Sequence, residues 1–308
     1  MSSSGTITPD PGTQVAGVGG GSVVQTKRRS VFQVITPFLA MMPFTVYVAL
    51  GLFLPMVAVS ILAFKTVDGH WTMHNINLLF TGVYAAGFKN SIELALFTSI
   101  VPGILGVFLA HAIATSRSEL LRRLVASASG VLANFGGVNL AFIFLASYGL
   151  NGIATVWLKS IGITFEPNLS DFNGVVFVYL YFQIPLMVLI VTPALGGLRP
   201  SWREAAEGLG ASTWSYWRRV GVPVLTPAVL GGMLLLFGSG FAAYATVQAL
   251  TAGSVALSPV LIGDFLNGNN LAGYEHVGYA IGFGMIVVLL VTMVAYVFIQ
   301  RRATRWLR

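Results

Sequence analysis

The chain is predicted to be an all-α membrane protein with six transmembrane helices, and three observations carry that prediction. Of its 308 residues, 56% are hydrophobic and 9% are charged, with a mean hydropathy of +0.81. A soluble domain carries about 25% charged residues. Stretches free of Asp, Glu, Lys and Arg run over 30–64, 94–116, 124–158, 172–198, 220–263 and 276–300. Each exceeds the roughly 20 residues that a helix needs to cross the hydrocarbon core. Finally, Lys and Arg concentrate in alternate loops, as the positive-inside rule requires.

The spans follow in order. The first is expected at 36–62, behind Lys27-Arg28-Arg29. That apolar run is too long for a signal peptide and shows no small-residue cleavage site, so it reads as an uncleaved span. Residues 1–29, rich in Gly, Ser and Thr, read as a disordered cytosolic tail ahead of a membrane domain over 30–308. The second span is expected at 92–115, with a kink at Pro102. The third, at 125–148, contains Asn134-Phe135-Gly136-Gly137-Val138-Asn139, whose double glycine should break or kink it. The fourth, at 173–196, carries Gln183 just before Pro185. The fifth is placed at 222–250, with Pro227, Tyr244 and Gln248. After Leu250 the chain turns to Thr251, Gly253, Ser254, Ser258 and Pro259, which suit an outer loop better than a lipid-facing helix. The sixth span is expected at 277–300.

With six spans, fourteen Lys and Arg residues fall on one side and three (Lys65, Lys89, Lys159) on the other. Both termini and the 199–221 loop are therefore expected in the cytosol. A seventh span would put Arg301, Arg302, Arg305 and Arg308 outside. The net charge of +7 does not point to nucleic acid, because the basic residues flank apolar segments and do not form one face.

The most informative stretch is the loop between the fourth and fifth spans, Glu204-Ala205-Ala206 through Pro223. Ser201 with Glu204 offers a capping box. Ala205 and Ala206 are strong, small helix formers. Gly208 and Gly210 should interrupt that helix, with the bend at Gly210, and Ser212 can cap a second short helix through Trp217. Small alanines let another surface approach closely, Glu204 supplies an ionic anchor, and Arg218 and Arg219 hold the loop at the headgroups. Pro223 would start the fifth span.

Glu204, Ala205, Ala206, Gly208, Gly210, Ala211 and Pro223 stand in a pattern that resembles the E-A-A-x3-G-x9-I-x-L-P loop of permease subunits in binding-protein-dependent ABC importers. Val220 and Val222 replace the usual Ile and Leu and keep the apolar character. The resemblance implies a type I permease fold, five core helices plus an N-terminal span, over about residues 70–300. It also implies a second, non-identical permease, two copies of an ABC ATPase and an extracytoplasmic solute-binding protein, in a bacterial cytoplasmic membrane. Asn134 through Phe142, and Ala243 through Thr246, are similar to the polyamine, iron and phosphonate branch. That makes spermidine or putrescine the first expectation for cargo and ferric iron or an organophosphonate the next, with sugar importers a poorer match.

No chemistry of its own is expected from the chain. Gly19-Gly20-Gly21-Ser22 lacks the Lys of a phosphate loop, so ATP and its Mg belong to the partner ATPase. With no cysteine, disulfides, thiolate metal sites and Cys nucleophiles are excluded. His70 and His74 lack a third ligand beside them, so no metal site and no catalytic residue is assigned. No charged residue lies mid-span, which argues against an ion-coupled carrier, and the loop argues against a membrane scaffold. Asn134, Asn139, Gln183, Tyr244 and Gln248 are the polar candidates for the translocation pathway. Helix packing is the alternative for each of them. The outer acids, Asp68, Glu93, Glu166, Asp171, Asp264 and Glu275, would suit a cationic cargo or simply reflect depletion of basic residues there.

Overall fold

The computed structural model describes residues 41–163, 165, 168–268 and 276–304. The expected tail over 1–29 and the start of the first span lie outside these residues, as do Glu166, Glu275, Arg305 and Arg308. By its internal contacts the chain divides into residues 1–53 and 54–308. In the first unit, residues 41–53 are helical and mostly exposed, as Tyr47 is at 77%.

Among the described residues of the second unit, the regular structure is helical apart from one isolated bridge, Lys65 with Trp71. Its helices are α1 (Leu54–Leu62), α2 (His74–Leu78), α3 (Gly82–Thr115), α4 (Glu119–Ala133), α5 (Val138–Tyr148), α6 (Ile153–Ser160) and α7 (Phe172–Gly196). They continue with α8 (Pro200–Gly208), α9 (Thr213–Tyr216), α10 (Val222–Phe241), α11 (Ala245–Thr251), α12 (Ser258–Leu266) and α13 (Val277–Thr304). Among the described residues six helical stretches are long and apolar enough to cross a membrane: Met41–Leu62, Gly82–Thr115, Val138–Ser160, Phe172–Gly196, Thr213–Phe241 and Val277–Arg302.

The bundle centres on α3, which packs on α7 and α10, while α13 covers α10 and α1. The close approach of α3 to α7 needs Gly106: a Cβ there would lie 2.6 Å from the Met187 Cβ and 3.2 Å from the Ile184 carbonyl. Small residues at such crossings let backbones meet where lipid supplies no hydrophobic drive. One core cluster joins α5, α7 and α11 through Leu140, Phe144, Val178, Tyr179 and Val247. A second joins α3, α7 and α10 through Ala110, Ile113, Met187, Val191 and Leu236. Phe108, Leu235 and Phe298 stay more than 60% exposed. A lipid-facing surface is apolar in this way because hydrocarbon is its solvent.

Three expected spans are corrected. The second begins at Gly82, ten residues early, and its 34 residues make a rod of about 51 Å, longer than the roughly 30 Å core. Lys89 and Glu93, one helical turn apart and paired at 3.8 Å, therefore sit on helix and not in a loop. The third span is not one helix over 125–148: α4 ends at Ala133 and α5 starts at Val138. Gly137 takes φ 75°, which a residue with a Cβ rarely adopts, and stands as the N-cap of α5. The fifth span, expected over 222–250, breaks at residues 242–244, and α11 resumes at Ala245. The same span also begins earlier, because a π-helical turn over Trp217–Gly221 joins α9 to α10. Pro223 accounts for that turn: it has no N–H for the Arg219 carbonyl and its ring crowds that group, so the helix widens just before it.

Candidate functional site

The loop between the fourth and fifth spans folds as a helix, a bend and a second helix. Pro200 occupies the first turn of α8, where its fixed φ suits a helix start, and Arg199 is the N-cap. The expected capping box of Ser201 and Glu204 does not form, because the helix has begun before Ser201. Arg203 Nε instead donates to Glu207 Oε1 at 2.8 Å, one turn on. Glu204 stays exposed and has no ion-pair partner among the described residues.

The C-terminus of α8 is closed by a Schellman motif. The Ala211 N–H donates to the Ala206 carbonyl at 2.9 Å and the Gly210 N–H to the Glu207 carbonyl at 2.9 Å. Gly210 holds φ 75° and a Cβ there would meet no atom within 4 Å. The bend is thus set by backbone conformation and not by tertiary crowding. Gly208 does not interrupt the helix; it is the last residue of α8. Ser212 caps α9, accepting from the Ser215 N–H at 3.3 Å.

This arrangement exposes Glu204, Ala205 and Leu209 near the bend, with Trp214 just beyond. Leu209 is 88% exposed and Trp214 75%. Two large apolar side chains thus stand bare in the same loop as an exposed carboxylate. Leu209 and Trp214 are additions to the residues read from the sequence. Their signal was an apolar residue on each side of the Gly210 bend, in a segment too polar to lie in lipid.

The five polar pathway candidates separate. Asn134 is exposed and donates from Nδ2 to the Gly130 carbonyl at 2.8 Å, closing the end of α4. Asn139, in the first turn of α5, is exposed. Gln183 is fully buried: its Nε2 reaches the Leu236 carbonyl at 3.4 Å and its Oε1 has no hydrogen bond. It lies between α7 and α10, closed off from solvent. Tyr244 sits at the break in the fifth span, 38% exposed, with its ring edge against Gly263. Gln248 follows one turn later, and its N–H donates to the Tyr244 carbonyl at 2.8 Å. The Gln248 Oε1 is buried without a partner.

The two helix breaks meet. Thr246 Oγ1 donates to the Gly137 carbonyl at 3.0 Å, tying the start of α11 to the start of α5. Irregular backbone at membrane depth is tolerated where protein or a cavity satisfies it, and here Thr246 does so for Gly137. Farther along, the second half of α5 and the middle of α7 border a cavity of about 630 Å³. Phe144, Ser147, Tyr148, Phe177 and Tyr181 lie along it, and no charged side chain does. Phe144 meets Tyr181 edge-on with ring centres 5.2 Å apart.

No family model matches the chain. It is 27% identical over 213 residues to the sulfate transport system permease protein of Escherichia coli, covering 68% of this chain and 73% of that protein. It is 26% identical over 268 residues to the spermidine/putrescine transport system permease protein of Haemophilus influenzae, covering 82% of this chain and 89% of that one. The trehalose transport system permease protein of Mycobacterium tuberculosis is 24% identical over 241 residues, covering 77% and 81%. Among solved structures, a bacterial alginate ABC transporter in complex with alginate pentasaccharide-bound periplasmic protein superposes with a TM-score of 0.74, at 17% identity, over 89% of this chain and 98% of that one. These relatives differ in cargo at nearly equal identity, so likeness alone does not separate a polyamine from sulfate or a sugar.

Proposed function

We propose that this chain, a permease of a binding-protein-dependent ABC importer, forms half of a translocation pathway and takes its motive force from a separate ATPase through the surface around Gly210. The loop faces the cytosol in this reading, as do both termini, in a bacterial cytoplasmic membrane. The observation that carries the coupling role is the continuity of α9 with α10. The π-helical turn leaves no loop between the bend and the fifth span. A push on the partner surface therefore moves α10 directly and, through the breaks, α11 and α5.

Each partner of the complex has its place here. Two ATPase subunits bind ATP and Mg and dock on the two coupling loops, one from this chain and one from a second, non-identical permease. A solute-binding protein delivers cargo on the opposite face. Tyr244, Gln248 and Asn139, beside the joined breaks, lie on the wall of the route. Gln183 enters only if the α7–α10 contact opens during the cycle.

For cargo we favour a polyamine. The cavity between α5 and α7 offers Phe144, Tyr148, Phe177 and Tyr181 and no basic side chain. Aromatic faces attract ammonium groups by about 0.5–2 kcal/mol each. A sulfate dianion would find no cationic side chain there, whereas a sugar would use the same rings by stacking.

The experiment is co-purification of the permease with its ATPase. Glu204→Ala should weaken ATPase retention about tenfold or more, as loss of a charge anchor does at an interface. The unfolding temperature should stay within a degree or two, since Glu204 is exposed and unpaired. Full retention with normal uptake would remove Glu204 from the interface and leave the bend without its proposed role.

A further inference from the structure

We propose that a second groove, between the first turns of α4 and the end of α7, binds an anionic phospholipid with its phosphate on Arg122 and Arg123. The groove has a volume of about 500 Å³. Ile113, Ala114, Ala126, Val188 and Leu189 make its apolar floor, and Glu119, Arg122 and Arg123 stand at its polar edge. It lies at the ends of α3 and α7 that lead into the loops over 116–118 and 197–199, on the same side of the bundle as the Gly210 bend.

The charge at the edge is unbalanced. Arg117, Arg122 and Arg123 are all exposed, and Glu119 is the one carboxylate among the groups at the groove. Glu119 pairs with Arg123 one turn along α4. Arg122 has no carboxylate partner among the described residues. The Thr192 hydroxyl donates to the Val188 carbonyl at 2.6 Å, so it is not available to an anion as a donor. The edge thus offers net positive charge directly above a trough of methyl and methylene groups.

That pairing fits an amphiphile better than a free anion. Exposed arginines hold inorganic phosphate weakly, because water and salt screen them. A lipid phosphodiester adds the burial of its acyl chain in the trough, and juxtamembrane arginines are where anionic headgroups are attracted. The site would tie the first turns of α4 to the end of α7, ahead of the irregular residues 134–137. The inference rests on the orientation proposed above only for the choice of leaflet. Binding in detergent reads the site whichever way the chain is inserted.

The test is native mass spectrometry of the full-length permease in detergent, titrated with dioleoylphosphatidylglycerol, dioleoylphosphatidylcholine or inorganic phosphate. The wild type should retain the glycerol lipid at least about tenfold better than the choline lipid. In the double variant Arg122→Gln/Arg123→Gln that ratio should fall below about twofold, with an unchanged unfolding temperature because both side chains are exposed. Ala126→Phe, which fills the trough and leaves the arginines, should weaken retention of both lipids. Equal retention of the two lipids by the wild type would overturn the proposal. So would an undiminished ratio in the double variant, undiminished retention after Ala126→Phe, or displacement of the glycerol lipid by millimolar phosphate.

Discussion

Gly210 gives the sharpest test of the proposed coupling loop, because a conformational role there can be separated from contact. Its φ of 75° lies in the left-handed region, and a Cβ there would touch nothing within 4 Å. An L residue in that region costs about 1–2 kcal/mol relative to its right-handed alternative. With no steric term to add, Gly210→Ala should weaken the bend by about 1 kcal/mol, roughly a fivefold shift in its population. Gly210→Val, branched at Cβ, should reach about 2 kcal/mol or more, roughly thirtyfold. Gly210→Asn should be nearly neutral, since Asn tolerates the left-handed region. Gly208 is the internal control. It is helical, and a methyl group added there would meet nothing within 4 Å. Gly208→Ala should therefore stabilise α8 by up to about 1 kcal/mol. The assay is cargo-stimulated ATPase activity of the complex in proteoliposomes. The expected order of activity is wild type and Asn, then Ala, then Val, with basal hydrolysis unchanged. Equal loss in Asn, Ala and Val would mean that the partner needs a bare surface at this position and that the bend is incidental. No loss in Val would refute the conformational argument outright.

Three further outcomes follow from the bundle. Thr246→Val removes the hydroxyl that reaches the Gly137 carbonyl. It should cost about 0.6–1.7 kcal/mol in detergent unfolding and slow uptake more than it lowers basal ATPase activity; unchanged uptake would make the joint purely structural. Gly106→Val drives a side chain into Met187 and the Ile184 carbonyl, so it should destabilise by about 1–3 kcal/mol, and a wild-type unfolding curve would contradict the α3–α7 crossing. Single cysteines at Gly210 and Gly268, in a chain that has none of its own, should be protected from and open to an outside impermeant thiol reagent respectively. The reverse pattern would invert the orientation.

Several parts of this protein were legible residue by residue. The Gly210 bend was, because a helix that ends in Gly two residues before a Ser cap uses only local backbone geometry and hydrogen bonds. The position of the break at Gly136-Gly137 was also legible, since a double glycine carries no helix preference. The start of α8 was misread at Ser201 because Pro200, immediately before it, is itself a good first residue. The fifth span was misread at both ends. Its apolar run from Val220 to Leu250 contains no local signal strong enough to mark the break at residues 242–244.

By itself the sequence determined the membrane class, the number of apolar spans and the helix-bend-helix loop. Each follows from hydropathy over about 20 residues or from the preferences of a few neighbours along the chain. Only the tertiary structure decided that the irregular stretches at residues 134–137 and 242–244 meet, and that Gln183 is packed between α7 and α10. Those outcomes rest on partners far apart in sequence, such as Thr246 with the Gly137 carbonyl, 109 residues away, and Gln183 with the Leu236 carbonyl, 53 away. A backbone carbonyl freed in a membrane must find a donor, but which donor reaches it depends on how the helices cross, and the crossing is set by shapes such as the gap that Gly106 leaves for Met187.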